Sequence, residues 1–151
     1  MEEKRSSKGV SPGGKRTESV RKMLTLIPNQ ESVSKAASYV EETMEKAGIG
    51  RKDSYKISIA LDELYSNIVF YSGASEAKIS CQVDEHWITL CLQDNGIPFD
   101  PLQREEADMK QLADEEQIGG RGIFLVKKLM SEVAYEYKDG YNEVTVKLQR
   151  S

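Results

Sequence analysis

Residues 94–100 read Asp-Asn-Gly-Ile-Pro-Phe-Asp and follow directly on a predicted strand that ends at Leu92. An acidic side chain at the end of a strand can accept a hydrogen bond from an exocyclic amine such as that of adenine. Gly96, two residues after Asp94, would let such a base approach the backbone closely. Asn-Gly also occurs in ordinary turns, so the neighbouring segments must decide whether this stretch is a binding loop or a plain turn.

The segments on either side of this stretch predict a sheet built from hairpins. Apolar and polar residues alternate in four of them, at 77–83, 88–92, 133–137 and 141–148. Turns are predicted at 84–85 and at 138–140, and the first of these would pair Cys81 with Ile88. Cys91 would then lie on the opposite face of the sheet from Cys81, which predicts two reduced cysteines and no disulfide.

A short apolar run at 23–27 predicts one more strand, and apolar residues at helical spacing predict three helices. The apolar stripes are Val33, Ala36, Ala37, Val40, Met44 and Ala47 in the first helix, Ile57, Ala60, Leu61, Leu64 and Ile68 in the second, and residues 123–130 in the third. Asn29 and Asp53 are predicted to cap the first two helices, which should end at Gly48 and near Gly73. The order of elements predicts an α+β fold, a two-layer sandwich whose mostly antiparallel mixed sheet is covered on one face by helices.

Length and charge restrict the function further. The 151 residues predict a disordered tail at 1–20 and a single domain at 21–151. The net charge is −4 and the tail contributes +2, so the remainder, at −6, is a poor candidate for nucleic-acid binding. No apolar stretch is long enough to cross a bilayer, which predicts a cytoplasmic protein that does not bind membranes. His86 is the only histidine and falls in a predicted turn. A mechanism that needs two histidines is therefore excluded.

A second candidate cluster is formed by Glu63 and Asn67, which lie four residues apart on the second predicted helix. This spacing places both side chains on one face, at the border of the apolar stripe. A carboxylate there can accept a proton from a hydroxyl, and an amide oxygen one turn away can ligate Mg²⁺. A solvated helix face is the simpler interpretation of this pair taken alone.

The third candidate cluster is the run Gly119-Gly120-Arg121-Gly122, which precedes a helix predicted to start near Ile123. Glycines before a helix leave backbone N–H groups that, together with the helix dipole, suit an anion such as phosphate. Arg121 would add a permanent positive charge. A flexible hinge is the alternative, and a Walker motif is excluded because no Gly-Lys-Ser/Thr follows.

The three clusters in this order resemble the ATP-binding fold shared by gyrase-type ATPases, Hsp90-type chaperones, mismatch-repair ATPases and histidine kinases. Residues 61–67 resemble its Asn-bearing helix motif, residues 94–96 its adenine-binding motif and residues 119–123 its second glycine motif. Within that group, the segments 94–101 and 119–125 are most similar to small bacterial anti-sigma factors that are also serine-protein kinases. The resemblance covers residues 21–148.

This resemblance implies a role for each matching residue. Glu63 would be the general base, Asn67 would hold Mg²⁺ at the phosphates, and Asp94 would accept from the adenine amine beside Gly96. The segment made of Gly119, Gly120, Arg121, Gly122 and Ile123 would bind the nucleotide, with its middle three residues at the phosphates, and residues 101–118 would form a lid. The implied cofactors are ATP and Mg²⁺, and the implied partners are a sigma factor, an anti-sigma antagonist and a second copy of the chain.

Two positions depart from the family pattern. Tyr71 stands four residues after Asn67, where the sporulation-type kinases often have histidine. The late strand has Gly140-Tyr141-Asn142 where the family usually carries Gly-Thr near the phosphates, and Asn142 is the predicted substitute contact to the nucleotide. The resemblance as a whole implies a serine/threonine-protein kinase that is also an anti-sigma factor. The alternative is a nucleotide-binding partner-switching regulator with little or no kinase activity.

Overall fold

Period-two patterning along the chain produces one five-stranded sheet, and every neighbouring pair of strands in it is antiparallel. The computed structural model describes residues 22–103 and 119–151, except for the side chains of 119–121. The strands, which lie in the order β1-β2-β3-β5-β4, are β1 (Leu24–Leu26), β2 (Ala77–Val83), β3 (Trp87–Asp94), β4 (Glu132–Lys138) and β5 (Tyr141–Gln149). The helices are α1 (Ser32–Lys46), α2 (Arg51–Asn67) and α3 (Gly119–Leu129), with short helical turns at Ile68–Ser72 and Pro101–Gln103.

The helices lie against the apolar face of the sheet, so the predicted α+β sandwich is confirmed. The buried residues of α1, α2 and α3 meet those of β2, β3 and β5 in one core. Its side chains with no solvent exposure include Ile57, Ile79, Ile88, Leu90, Val126 and Val146. Each such burial contributes about 1.5–3 kcal/mol before conformational entropy is counted, which explains why three helices and a sheet of this size hold together.

The predicted register of the first hairpin is wrong by two residues. Cys81 lies opposite Leu90 and not opposite Ile88. The cause is Asp84, whose Oδ1 accepts hydrogen bonds from the backbone N–H groups of His86 (2.8 Å) and Trp87 (2.7 Å) and so moves the turn one residue along. A slip of two residues keeps every side chain on its face, so the inward set was predicted correctly.

The two cysteines lie on opposite faces of the sheet, as predicted. Cys81 is part of the core, where burial raises the pKa of its thiol to about 12. Cys91 is buried on the other face, between neighbours on β2 and β5. The thiol of Cys81 therefore stays protonated and behaves as a small apolar group.

Neither predicted cap residue stands at the N-cap position of its helix. Glu31 is the N-cap of α1, and Asn29 lies two residues earlier, where its Oδ1 accepts from the N–H of Ser32 at 2.8 Å in the turn that leads into the helix. The prediction that Asp53 caps α2 is wrong, because α2 begins at Arg51 and Asp53 lies inside its first turn. The buried carboxylate of Asp53 instead accepts from the backbone N–H (3.0 Å) and the hydroxyl (3.1 Å) of Ser151. Asp53 therefore anchors Ser151 to α2.

The face of the sheet away from the helices is polar. Lys147 Nζ lies 4.9 Å from the centroid of the Trp87 ring, and Lys78 Nζ lies 4.9 Å from that of Tyr141. His86 is exposed in the turn beside Trp87, as predicted. Each helix in the described part of the chain is too short or too polar to span a membrane. The predicted tail at 1–20 and residues 104–118 of the predicted lid lie outside the described residues.

Candidate functional site

Helix α2 carries the first pair of predicted site residues on its last two turns. Glu63 is half-buried, and burial followed by the nearby charge of Asp62 raises the pKa of its carboxyl above the ordinary value. A raised pKa keeps a carboxylate basic enough to take a proton. Asn67 follows one turn later at the wall of a cavity. The helix then runs into the turn at Ile68–Ser72, which stops at Gly73 in the left-handed conformation (φ 68°).

The end of β3 carries the second cluster. Asp94 is only 6% exposed, and its Oδ1 accepts from the N–H of Gly96 (2.9 Å) and from Nδ2 of Asn142 (3.1 Å). Burial raises the pKa of this carboxyl, and the two hydrogen bonds act in the opposite direction. The result is a buried acceptor held by fixed donors, which is the chemistry that an exocyclic amine requires.

Gly96 is required by a close approach between this loop and the helical turn that follows α2. A Cβ at Gly96 would lie 2.8 Å from Cβ of Ser72 and 2.9 Å from Oδ1 of Asp94, and it would overlap the Ser72 carbonyl oxygen. That carbonyl already accepts from the N–H of Ile97 at 3.1 Å. Only glycine fits here. The residue that would let a base approach the backbone therefore also allows the turn after α2 to pack against the loop that follows β3.

A cavity lies between α2, the sheet and the loop after β3. It holds about 440 Å³ of empty space, a figure that includes the part open to solvent. Its walls are mostly apolar, with few polar groups: Leu64, Asn67, Ile68, Tyr71, Ser72, Leu92, Asp94, Ile97, Phe99, Pro101, Asn142 and Val144. A flat, apolar-faced ring that carries an amino group fits this donor and acceptor set, so the residues present are suited to a purine base.

The third cluster lies where predicted but in a different backbone conformation. The helix predicted from Ile123 begins at Gly119, so the glycines form its first turn and do not precede it. The first N–H groups of a helix have no partner within the helix, so this turn retains the capacity to bind an anion. The side chain of Arg121 lies outside the description, and that of Ile123 is buried in the core.

Glu63 and Gly122 are in contact across the interface of α2 and α3. A Cβ built on Gly122 would overlap the carboxylate of Glu63. The absence of a side chain at Gly122 is therefore what allows the first turn of α3 to lie directly against the predicted general base. The structure thus brings Glu63 and Gly122 together, and it places Asn67 and Asp94 on one cavity. Their chemical roles remain predictions.

Among the predicted site residues whose side chains the structure describes, Asn142 makes the most side-chain hydrogen bonds. It lies opposite Asp94 on β5, just after a hairpin turn whose residues Asp139 and Gly140 both have positive φ (55° and 82°). Besides Asp94, it hydrogen bonds the Ile97 carbonyl (2.9 Å), the Phe99 N–H (3.0 Å) and the Tyr135 hydroxyl, and it is 4% exposed. Sequence reasoning gave it a contact to the nucleotide, whereas the structure shows its amide bound to protein groups.

The metal prediction rests on Asn67 alone among the protein side chains. Within residues 22–103 and 119–151, no three His, Cys, Asp or Glu side chains are grouped so that they could hold a metal ion. Mg²⁺ is usually bound by one or two protein oxygens together with substrate phosphates, so a single amide oxygen at the cavity fits this mode. The assignment of Mg²⁺ to Asn67 remains a prediction.

Sequence reasoning missed Tyr135 and most of the apolar walls. Ile97 and Phe99 stand inside the stretch that was singled out, so their position next to Asp94 was a usable signal. Tyr135 belongs to a strand of alternating residues, and the alternation alone does not indicate that its hydroxyl has a partner at the site. Its hydrogen bond to Asn142 depends on how β4 pairs with β5, and composition does not encode that pairing.

Comparison with known proteins gives matches over most of this fold. The sequence model of the histidine kinase-like ATPase domain matches residues 26–148. The serine/threonine-protein kinase BtrW of Bordetella bronchiseptica is 28% identical over 96 residues, 61% of this chain and 68% of the relative. The serine-protein kinase RsbW of Listeria monocytogenes is 27% identical over 132 residues, 82% of this chain and 84% of the relative.

Solved structures with the same fold extend the comparison. The structure of the RsbU and RsbW domains of a Mycobacterium tuberculosis protein superposes with a TM-score of 0.59 at 14% identity. That match covers 86% of this chain and 33% of the solved chain. A chain of the SiaB–SiaC complex of Pseudomonas aeruginosa superposes with a TM-score of 0.57 at 12% identity, over 84% of this chain and 88% of the other. These likenesses support the fold.

Proposed function

Because the chain belongs to the histidine kinase-like ATPase domain family, we propose that it is an ATP-dependent protein serine/threonine kinase. Its substrate would be an anti-sigma antagonist, and the protein would also sequester a sigma factor. The relatives named as serine-protein kinases support the type of activity. The observation that carries the proposal is spatial: Asn67 and Asp94 share one cavity, and Glu63, one turn before Asn67, touches the glycine turn of α3.

The base would bind at the sheet end of the cavity. Asp94 would accept a hydrogen bond from the amino group, Gly96 would allow the ring to approach the backbone, and apolar side chains such as Leu92 and Val144 would exclude water. The phosphates would extend toward the first turn of α3, where the N–H groups that follow Gly119 favour negative charge. Mg-ATP would supply the phosphoryl group, and the charge of the phosphates would be shared between Mg²⁺ and Arg121.

Glu63 would take the proton from the attacking serine hydroxyl. Its raised pKa suits a general base, and its position between α2 and Gly122 restricts where the carboxylate can lie. Most of the rate acceleration would come from positioning and charge neutralisation, as in other phosphoryl transfers. Removal of a general base typically lowers the rate of the chemical step about 10²- to 10⁴-fold.

The test is transfer of ³²P from Mg-ATP to a candidate antagonist, with ATP affinity measured separately by calorimetry. We expect E63A to lose transfer by about 10²- to 10⁴-fold while its ATP affinity stays that of the wild type. The matched control is D62A, which removes the neighbouring exposed carboxylate and should keep full transfer at a pH well above the pKa of Glu63. Unchanged transfer in E63A would refute the base assignment, and no binding of any nucleotide by the wild type would refute the site.

A second candidate function is a nucleotide-gated partner-switching regulator without kinase activity. It is favoured by Asn142, which occupies the place of the family's usual Gly-Thr and whose amide is bound to protein groups. Mass spectrometry of the antagonist after incubation separates the two functions, because only a kinase adds phosphate to serine. In both cases we propose that the protein works as a homodimer, which light scattering of the purified protein tests.

A further inference from the structure

The buried face of β5 contains one polar side chain. Going along the strand, the inward positions are Asn142, Val144, Val146 and Leu148, and all four are buried. An apolar residue at 142 would match its neighbours, whereas an amide buried there is unfavourable unless its hydrogen bonds are made. The hydrogen bonds of the Asn142 amide therefore explain why a polar residue occurs at this position.

Every hydrogen-bonding position of the Asn142 amide is occupied by the protein. Its Nδ2 donates to Asp94 Oδ1 (3.1 Å) and to the carbonyl of Ile97 (2.9 Å). Its Oδ1 accepts from the N–H of Phe99 (3.0 Å) and from the hydroxyl of Tyr135. A carboxamide has two N–H donors and two lone pairs, so none remains for a ligand. Any influence of Asn142 on a nucleotide must therefore pass through Asp94 or the loop at 97–99.

The two oxygens of Asp94 are not equivalent. Oδ1 accepts from both Gly96 and Asn142. Oδ2 has no hydrogen-bond partner among the residues that the structure describes, and the side chain lines the cavity. Two donors on one oxygen fix the rotation of the carboxylate about its last bond. Oδ2 is consequently the oxygen left to accept from a ligand.

We propose that Asn142 is a positioning residue for base recognition: it holds Asp94 Oδ1 so that Oδ2 accepts a hydrogen bond from the amino group of the purine. The proposal rests on the proposed nucleotide site and deepens it, because it assigns discrimination of the amino group to a residue that does not touch the nucleotide. The hydrogen bonds of Asn142 to Ile97 and Phe99 set the adjacent cavity wall at the same time.

The test compares two nucleotides, ATP and purine riboside 5′-triphosphate, which has hydrogen in place of the 6-amino group. We expect the wild-type protein to prefer ATP by roughly 10- to 100-fold in Kd, as for a hydrogen bond to a charged acceptor. In N142A the preference should fall to near onefold, because ATP loses the hydrogen bond to Asp94 Oδ2 in addition to any effect of the cavity wall, which both nucleotides share. A residue that only stabilised the fold would weaken both nucleotides equally.

Two further variants keep the test decisive. Y135F removes one hydrogen bond to Asn142 but leaves both of its donors in place, so we expect it to retain the preference for ATP. N142V suits a strand, matches the inward valines that follow it and should lose the preference as N142A does, which covers the case in which N142A fails to fold. An unchanged preference in a folded Asn142 variant, or equal weakening of both nucleotides, would overturn the proposal. If the wild-type protein binds neither nucleotide, the proposed function itself fails.

Discussion

The two ends of the candidate site are built in different ways. The base end, defined by Asp94, Gly96 and Asn142, lies on paired strands and is joined by several side-chain hydrogen bonds. The phosphate end, defined by Glu63 and Gly122, is a contact between two helices in which a carboxylate lies against a glycine. The base end is thus fixed before a ligand arrives, whereas the phosphate end depends on one movable side chain and on the position of α3.

This difference indicates how recognition and chemistry divide within the fold. At the base end, the obstacle next to Gly96 is the backbone of Ser72, which cannot move away without disturbing α2. At the phosphate end, the obstacle next to Gly122 is the tip of Glu63, which can rotate. We therefore expect changes at the base end to affect affinity and stability, and changes at the phosphate end to affect the rate of transfer.

The largest expected effect is at the base end, in D94N. Because Oδ1 must still accept from Gly96 and Asn142, the new NH₂ group takes the place of Oδ2 and becomes a donor. It would then face the amino group of ATP donor to donor, and we expect ATP affinity to fall about 100-fold or more while ITP, whose base carries an oxygen there, gains relative to ATP. Calorimetry with both nucleotides measures this, and an unchanged order of affinities would contradict it.

The same variant has an internal control for folding. Burial raises the pKa of Asp94, so the ionised carboxylate lowers the free energy of unfolding at neutral pH and the protonated form does not. We therefore expect D94N to be at least as stable as the wild type at neutral pH. The wild type should recover relative stability as the pH falls through the raised pKa. Loss of ATP binding accompanied by loss of stability at neutral pH would count against this explanation.

G96A should have the next largest effect, this time on stability. A methyl group at Gly96 would meet the Ser72 carbonyl and the Asp94 carboxylate, and overpacking of this kind costs about 1–3 kcal/mol in the free energy of unfolding. Chemical denaturation followed by circular dichroism measures the change. G50A is the matched control, because Gly50 has an ordinary φ of −70° and no described atom within 4 Å of the added methyl group. Equal losses in the two variants would show that the base end is not tightly packed.

G122A should change stability less and transfer more. The added methyl group meets the end of the Glu63 side chain, which can rotate, and alanine is the better helix former, so we expect a net stability change below about 1 kcal/mol. Displacement of the base by about an ångström can cost roughly 10²-fold in rate. In the E63A background the same change should leave the residual rate unaffected. A further loss of rate there would show that Gly122 acts on the phosphates independently of Glu63.

The smallest expected effect is the pH dependence of transfer. Glu63 must be deprotonated to act as the base, so the rate should rise with pH through its raised pKa. The charge of Asp62 is the second cause of that raised value, after burial, and D62N should therefore move the acid limb of the rate profile to lower pH. D62E keeps the negative charge and should keep the wild-type profile. A shift in the opposite direction would exclude Glu63 as the titrating group.

Sequence patterning predicted the faces of the strands well and their pairing less well. Period-two alternation fixes which side chains point inward, and it was correct for Ile79, Cys81 and Leu90. The register depended on where Asp84 accepts its hydrogen bonds, which alternation does not encode. The same limit explains Asp53, whose residue type favours a helix cap but whose partner, Ser151, lies 98 positions away.

The candidate site shows the same division between local and long-range information. Helical spacing was enough to place Glu63 and Asn67 together, and the strand end was enough to single out Asp94. The contact of Glu63 with Gly122 needs the packing of two helices, and the contact of Asn142 with Asp94 needs the pairing of β3 with β5 across 48 positions. Single-sequence reasoning therefore found the residues but not the hydrogen bonds that orient them.

The position of the single tryptophan gives the molecule a convenient optical property. Trp87 begins β3 and Asp94 ends it, so the indole and the base end are separated by seven residues of extended chain, or about 23 Å. The indole also lies under Lys147, on the face of the sheet away from the helices. Its fluorescence should consequently report global unfolding while remaining silent to nucleotide, so stability can be followed by emission in the presence of ligand without a binding signal.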